Sequence, residues 1–264
     1  MHSIRVLIRS IFARRQLIRE MGIRNLRELN EGALLGYLWL VISPLLQVTV
    51  YVFVVMFAFG KGTANPKETL HYTLYVLSGM IPWQIMSKVL QEAPTMIRSR
   101  MDVVKQLIFP IEILPLVQLI VNSVGIAVTL LVYLIVASWQ GQLYWSILLL
   151  PVPCFLMAVF LIGASWAISI AGILVKDLRE MIAVVFSLLV YLSPVVSTER
   201  LVGSKLWSII MMNPLAHAVM CFRDVLQGEF HPLSWQVFGV MSVASFLVGA
   251  WIIQRSKVVI NEYI

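Results

Sequence analysis

The stretch "ALLGYLWLVISPLLQVTVYVFVVMFAF" (Ala33–Phe59) contains 27 residues and no charged side chain. A helix rises about 1.5 Å per residue, so a run of this length exceeds the ~30 Å hydrocarbon core of a bilayer. The stretch therefore predicts a first transmembrane span. It also sets the fold class, which we predict to be an all-α integral membrane protein.

The composition of the whole chain agrees with this prediction. Of 264 residues, 60% are hydrophobic and only 12% are charged, whereas soluble domains carry about 25% charged residues. The net charge is +7, but in a membrane protein the positions of Lys and Arg matter more than their sum. We expect no nucleic-acid partner. Two isolated cysteines, Cys154 and Cys221, are too few for a disulfide framework.

The segment 1–32 precedes the first span and is rich in arginine. Ile4, Leu7, Ile8 and Ile11 recur at helical spacing, and arginines occupy much of the opposite face. This pattern predicts an amphipathic helix at the cytoplasmic interface of the membrane. A solvated surface helix bound to a partner is the alternative. The segment lacks the features of a cleaved signal peptide.

Further apolar runs divide residues 33–264 into a six-span transmembrane domain. The six spans are expected at about 33–59, 70–87, 108–138, 147–175, 181–196 and 235–253. With six spans, the charged loops Lys88–Lys105 and Lys176–Glu180 and the tail with Arg255 and Lys257 all lie on the side of the N-terminus. This arrangement satisfies the positive-inside rule and places both termini in the cytoplasm.

The stretch "IIMMNPLAHAVMCFRDVLQGEF" (Ile209–Phe230) is apolar but is interrupted by Asn213 and Pro214. As a seventh span it would put the basic tail outside and bury Arg223 and Asp224 in hydrocarbon, which costs several kcal/mol. We interpret it instead as part of a re-entrant periplasmic segment at about 197–230.

Within this segment we expect two short helices, split near Asn213 and Pro214, that line the outer exit of a channel. Arg223 and Asp224 are expected to face the aqueous mouth or to pair with each other. His217 is expected to pack or to form a hydrogen bond rather than to bind a ligand.

The sequence shows no catalytic, cofactor or metal motif. The four histidines have no metal-ligand spacing, and "GKGT" (Gly60–Thr63) lacks the upstream glycine of a phosphate-binding loop. Any ATP and Mg must therefore bind a separate subunit. The long spans contain few ionisable residues, with Glu112 as the main exception, which disfavours a proton-coupled carrier.

Aromatic side chains with polar groups occur along the predicted spans. Such side chains can stack on sugar rings and form hydrogen bonds with them. The candidates for lining a channel are Tyr37, Tyr51, Trp83 and Trp166. The alternative for each is anchoring at the interface or ordinary helix packing.

Several stretches together resemble one family. These are "GALLGYLWLVISPLL" (Gly32–Leu46), "SGMIPWQIM" (Ser78–Met86), "KQLIFPIEILPL" (Lys105–Leu116), "KDLRE" (Lys176–Glu180), "YLSPVV" (Tyr191–Val196) and "NPLAHAVMCFRDVLQG" (Asn213–Gly228). In this order they are similar to membrane subunits of type-2 ABC exporters, especially Wzm-like O-antigen permeases and their capsule and teichoic acid relatives. The chain departs from the family at Asn30–Ala33, where an aromatic and a basic residue are usual.

The resemblance implies a homodimer of six-helix subunits around a channel, with two ATP-binding cassette subunits beneath. It implies that undecaprenyl-diphosphate-linked polysaccharide enters near Leu35, Gly36 and Trp39, and that spans one and five form the dimer contact. It also implies contacts with the ATPase at Arg14, Arg15, Glu92, Arg98, Arg100, Asp102, Lys105, Lys176 and Asp177. Plain topology signals would explain the positive charges among these residues, but not the acidic ones.

Pro110 and Pro115 lie near the cytoplasmic start of span three. They permit a kink that could open laterally, or Pro110 simply begins the helix. The predicted function is a permease subunit that exports a lipid-linked polysaccharide across the bacterial inner membrane, with O-antigen first and capsule or another glycan next. The alternatives are an exporter of a drug or small lipid, and a membrane enzyme acting on lipid-linked sugars. The enzyme would need an Asp, Glu or His cluster that the sequence pattern does not show.

Overall fold

The computed structural model describes residues 13–28, 36–58, 66–100 and 110–263. In these ranges the chain is helical and contains no strand, which confirms the all-α prediction for them. The α-helices are α1 (Arg15–Glu28), α2 (Trp39–Ala58), α3 (Pro66–Glu92), α4 (Leu114–Trp139), α5 (Pro151–Leu174), α6 (Leu178–Leu189), α7 (Glu199–Met211), α8 (Pro214–Gln227) and α9 (Pro232–Tyr263). Short 3₁₀ turns occupy Gly36–Leu38, Ala93–Thr95, Arg98–Arg100, Ile111–Ile113 and Trp145–Leu149.

Three helical segments of the described chain are long and apolar enough to cross a bilayer. They are Ile111–Trp139, Trp145–Leu174 and Pro232–Ser256. The bent pair Val202–Met211 and Pro214–Gln227 meets the same criterion only when its two helices are taken together. The described residues therefore contain three candidate spans, or four if the bent pair counts as one.

The first two predicted spans correspond to α2 and α3. The α2 helix starts at Trp39, after the turn Gly36–Leu38, in which Gly36 has φ +48°. This left-handed backbone conformation suits glycine, which has no β-carbon. The α3 helix extends beyond the predicted 70–87 at both ends, and its polar side chains make it less apolar than α4 or α5.

The fifth predicted span, 181–196, is not one continuous helix. The α6 helix has only 12 residues, about 18 Å at the usual rise, and ends at Leu189. Residues 190–196 form turns instead. Pro194 gives a physical reason, since a proline removes a backbone donor and disfavours helical backbone at Ser193.

The two prolines before α4 lie where the helix begins. Pro110 precedes the turn Ile111–Ile113, and Pro115 occupies the first turn of α4. A proline in a first turn removes no helical hydrogen bond, because that N–H would have no partner within the helix. The structure therefore favours a helix start over a kink within the helix.

The closest helix packing is between α5 and α9. A β-carbon added to Gly249 would collide with the carbonyl oxygen of Gly163, and one added to Gly163 would collide with the backbone at Ser245 and Phe246. Small residues that let two backbones approach this closely are typical of helix contacts inside membranes. The α3 helix packs against α5, and α8 packs against both α5 and α9.

The α1 helix packs against α4 through a small apolar cluster. Ile18 is buried with Ile113, Val117 and Val121, while Arg19 and Glu20 are exposed. The described part of this helix is therefore amphipathic, with a buried apolar side and an exposed charged side, as the sequence predicted. Its placement at a membrane interface stays a prediction.

Candidate functional site

Asn213 and Pro214 form the break between α7 and α8. The Oδ1 atom of Asn213 accepts a hydrogen bond from the backbone N–H of Leu215 at 3.0 Å, and Pro214 occupies the first helical position. Both are preferred features of a helix N-terminus. The two helices meet at 107°, so the predicted split at this dipeptide is confirmed.

The α8 helix is buried along nearly its whole length, from residue 216 to residue 226. Its last turn is held by hydroxyl groups from elsewhere in the chain. Tyr133 donates to the carbonyl oxygen of Leu226 and Ser146 to that of Val225, each at 2.7 Å. The last carbonyls of a helix have no partner within the helix, so these contacts fix its end inside the protein.

Arg223 forms more hydrogen bonds than any other side chain of α8, and only 1% of it is exposed. Its Nη2 atom donates to the carbonyl oxygen of Pro194 at 2.6 Å and to that of Tyr75 at 3.3 Å. Its Nη1 atom donates to the hydroxyl of Tyr75 at 2.9 Å, and Nε donates to the hydroxyl of Ser78 at 3.4 Å. The guanidinium therefore joins α8 to α3 and to the turn after α6.

In the described part of the chain, neutral oxygens surround this guanidinium and no carboxylate lies within ion-pair distance of it. The planar fork of an arginine can satisfy several such acceptors at once. The close fit also depends on Gly79 of α3. A β-carbon there would lie 2.9 Å from Nη2 of Arg223 and 2.9 Å from the α-carbon of Val195.

Asp224, also 1% exposed, binds to the start of α9. Its Oδ2 atom accepts hydrogen bonds from the backbone N–H of His231 and from Nε1 of Trp235, both at 2.8 Å. Its Oδ1 atom lies 2.6 Å from Nδ1 of His231. These contacts close the short connection between α8 and α9.

The expectation that Arg223 and Asp224 face an aqueous mouth or pair with each other is therefore wrong. Successive side chains on a helix point about 100° apart, so Arg223 turns toward α3 and Asp224 toward α9. His217 is buried, and its Nδ1 atom lies 3.1 Å from the hydroxyl of Ser234. This contact agrees with the hydrogen-bonding role expected for it.

Asp224, Glu229 and His231 form a cluster that the sequence pattern did not reveal. Each offers one potential metal ligand, and these atoms all lie within 4.8 Å of one another. Asp224 is already satisfied by donors from His231 and Trp235, so hydrogen bonding is sufficient to explain its position.

The residues expected to contact an ATPase lie mainly at two places. Arg15, Arg98, Lys176 and Asp177 are exposed, and Arg14, Glu92 and Arg100 are half-buried. The structure brings two of the predicted elements together, because Nη2 of Arg100 donates to Oδ1 of Asn25 in α1 at 2.8 Å. Asp102 and Lys105 lie outside the described residues.

Of the three residues expected where the substrate enters, two are described. Gly36 and Trp39 mark the turn into α2, and 44% of the Trp39 side chain is exposed. Leu35 lies outside the described residues, as do the side chains of Tyr37 and Tyr51.

Two of the expected channel-lining aromatics are instead buried within the chain. Trp83 is 4% exposed and packs against Phe186, and Trp166 is fully buried. The indole Nε1 of Trp166 donates to the backbone carbonyl of Glu112 at 3.1 Å. In this conformation neither indole offers a surface to a channel.

Residues 20–226 match the family described as "ABC-2 type transporter". This match covers most of the chain, including α8 and its arginine. The chain belongs to the ABC-2 type transporter family. The predicted resemblance to membrane subunits of type-2 ABC exporters is thereby confirmed, and the chain is a membrane protein.

This ABC-2 chain is also similar to curated proteins over most of its length. The O-antigen export system permease protein RfbA of Klebsiella pneumoniae is 24% identical over 208 residues, 78% of each chain. The protein of the same name from Myxococcus xanthus is 20% identical over 247 residues, 92% of this chain and 93% of the relative. The polysialic acid transport protein KpsM of Escherichia coli is 21% identical over 200 residues, 74% of this chain and 75% of the relative.

The sequence pattern of this ABC-2 transporter chain did not predict the partners of Arg223 and Asp224. Tyr75 is 148 residues from Arg223, and Pro194 is 29 residues from it. No local spacing indicates contacts over such distances. The Asp224 partners, His231 and Trp235, are close enough along the chain that a helix–turn–helix connection would have suggested them.

Proposed function

We propose that the chain is the permease subunit of an ATP-driven exporter that moves a lipid-linked polysaccharide across the bacterial inner membrane. We expect the exported polysaccharide to be O-antigen, and capsule polysaccharide or another glycan is the second candidate. One observation carries the proposal. The relatives named above, all of them polysaccharide export or transport proteins by name, align with most of the chain and with most of their own length.

Two separate ATP-binding cassette subunits would supply ATP and Mg. The sequence contains no phosphate-binding loop motif, which supports the proposal that ATP binds to the separate subunits. The linked elements α1 and Arg98–Arg100 carry several of the charged residues expected at that contact, including Arg15 and Arg98. Lys176 and Asp177, in the loop between α5 and α6, form the second proposed contact.

The proposed topology keeps six spans with both termini in the cytoplasm. Three of the six spans are the candidate spans that contain α4, α5 and α9. Two more are α2, which has 20 residues and is about 30 Å long, and α3, which has 27 residues and is about 40 Å long. The fifth span would consist of α6 and the turns that follow it up to Val196. The sharp bend between α7 and α8 and the burial of α8 suit a re-entrant periplasmic segment, because non-spanning backbone at membrane depth requires a protein cover.

The proposed homodimer uses the first and fifth spans. Phe53 and Phe57 on α2 and Val184 and Leu188 on α6 are all more than half exposed. These exposed faces are apolar and are therefore available for a contact with a second copy inside the membrane. Among the aromatics, Trp39, Tyr37 and Tyr51 remain proposed contacts of the glycan, whereas the buried Trp83 and Trp166 are reassigned to helix packing.

Deletion of the gene tests the function. We expect loss of surface glycan together with accumulation of lipid-linked glycan inside the cell, and restoration of both by the intact gene on a plasmid. Glycan staining of whole cells and quantification of the extracted lipid-linked fraction measure the two effects. Loss of glycan synthesis without accumulation would favour a membrane enzyme, and unchanged surface glycan would favour export of a drug or small lipid.

A further inference from the structure

A polar cavity of about 150 Å³ lies between α1, the end of α3, the turns that follow it and the start of α4. Its polar lining consists of Asn25, Glu92, Thr95, Ser99, Arg100 and Gln118. Pockets for drug-sized ligands measure about 300–1,000 Å³, so this cavity has room for one small ring. A cavity lined by polar groups holds water when it is vacant, whereas an apolar one stays dry.

The charged residues that line the cavity give it no net charge. Glu92 and Arg100 contribute one charge of each sign, so the lining favours neither a cation nor an anion. The four neutral side chains are two amides and two hydroxyls, which both donate and accept hydrogen bonds. A neutral ligand with several hydroxyl groups can satisfy such a mixed lining.

Both charged groups are held in place before any ligand binds. Nδ2 of Asn122 donates to Oε2 of Glu92 at 3.0 Å, and Arg100 donates to Asn25 at 2.8 Å. A lining held in this way loses little further side-chain freedom on binding, which favours even a small ligand.

A polar seam continues from the cavity along the contact between α3 and α4. One turn from Glu92, the amine of Lys88 lies over Gly125, where an added β-carbon would be 3.7 Å from Nζ. One turn further, the hydroxyl of Thr129 donates to Oε1 of Gln84 at 2.9 Å.

Gln84 is 3% exposed, and its Nε2 atom has no hydrogen-bond partner in the described chain. A buried amide without a partner is costly, and water is the usual remedy. The seam therefore extends the polar interior beyond the cavity.

We propose that the cavity is a subsite for one neutral sugar ring of the exported glycan. This assignment rests on the proposed function, from which the glycan and the cytoplasmic position of the cavity follow. The hydroxyls of the ring meet the polar lining, and its C–H faces meet Met96, Leu114 and Val117 on the cavity wall. Because Arg100 and Asn25 connect the cavity to α1, a bound ring would lie beside the proposed ATPase contact.

Protection of a cysteine at Ser99 tests the subsite. The full chain, with Cys154→Ser and Cys221→Ala to remove the native thiols, carries Ser99→Cys and is placed in lipid nanodiscs. The rate of labelling by a small thiol reagent is measured with glucose or N-acetylglucosamine at about 100 mM, above the millimolar dissociation constant expected for one ring. Glycine betaine at equal osmolality is the non-sugar control, and Lys176→Cys, exposed on another loop, is the matched site.

We expect either sugar to slow labelling at Ser99→Cys by about threefold or more, while betaine has no effect and Lys176→Cys is unchanged. Equal slowing at both sites, or no slowing at all, would mean a cavity that holds water only and would overturn the proposal.

Gln118→Met in the same background keeps the volume of the side chain and removes its amide. We expect it to abolish sugar protection and to reduce glycan export in cells, whereas Gln236→Met, an exposed glutamine on α9, changes neither. Unchanged export with Gln118→Met would overturn the subsite assignment. Such a result would leave the proposed function intact, because that function is judged separately by the deletion strain.

Discussion

Nη2 of Arg223 and the carbonyl oxygen of Pro194 form a 2.6 Å hydrogen bond between α8 and the turn that ends α6. Both groups are buried. The bond connects the proposed periplasmic segment to the proposed fifth span, and Tyr75 of α3 joins the same guanidinium. Three parts of the chain thus depend on one side chain.

Replacing Arg223 with Met should destabilise the protein strongly. The carbonyl of Pro194 and the hydroxyl of Tyr75 would lose their donor, and a buried polar group left without a partner costs about 1–3 kcal/mol. Arg223→Lys should lose part of this stability, because an ammonium group cannot reproduce the planar fork. The thermal unfolding midpoint of the detergent-purified full chain measures both effects.

The control for this series is Arg179→Met, which removes an exposed arginine on α6. It should leave the midpoint nearly unchanged, since exposed charges contribute little to stability. Similar midpoints for Arg223→Met and Arg179→Met would contradict a structural role for the buried guanidinium.

Gly79→Ala should also destabilise the protein, by about 1–3 kcal/mol for an overpacked site. The new methyl group would lie 2.9 Å from both the Arg223 guanidinium and the Val195 backbone, and the backbone cannot move aside cheaply. Gly239→Ala on α9 is the matched control, because an added β-carbon there has no neighbour within 4 Å. Comparing the two unfolding midpoints separates the steric effect from helix propensity, and equal changes would argue against the close fit.

Asp224→Ala should lower stability more than Trp235→Phe. The alanine variant leaves the backbone N–H of His231 and the indole N–H of Trp235 without their acceptor, whereas the phenylalanine variant removes a single donor. Each missing hydrogen bond contributes about 1 kcal/mol, and a buried unsatisfied donor costs more. Asp224→Asn keeps an acceptor oxygen and should fall between the two. Thermal unfolding ranks the three variants, and a larger loss for Trp235→Phe than for Asp224→Ala would contradict this hydrogen-bond pattern.

Local signals in the sequence predicted the helices well. Long apolar runs became α4, α5 and α9, and Asn213 with Pro214 ended one helix and began the next. These features depend on neighbouring residues, through helix rise, capping and the missing N–H of proline. The end of α6 at Leu189 was missed, although Pro194 already indicated that a helix through 196 would be interrupted.

The partners of Arg223 and Asp224 could not be predicted in the same way. Tyr75 and Pro194 reach the guanidinium through the tertiary fold, and no spacing along the chain encodes that contact. One part of the error was avoidable, because adjacent residues of a helix point in different directions. A direct pair between Arg223 and Asp224 was therefore a poor expectation for two residues already placed on a helix. Their burial follows from the packing of α8, which no apolar periodicity revealed.

The six-span topology predicts that Glu229 and Lys176 lie on opposite sides of the membrane. Both side chains are exposed, so a cysteine at either position is accessible, unlike one at the buried Asp224. With Cys154→Ser to remove the exposed native thiol, a membrane-impermeant maleimide should label Glu229→Cys in intact spheroplasts. It should label Lys176→Cys only after the membrane is opened, because the proposed fifth span separates the two positions. If α6 and the turns after it do not cross the bilayer, both cysteines will react from the same side, and the six-span arrangement must be replaced.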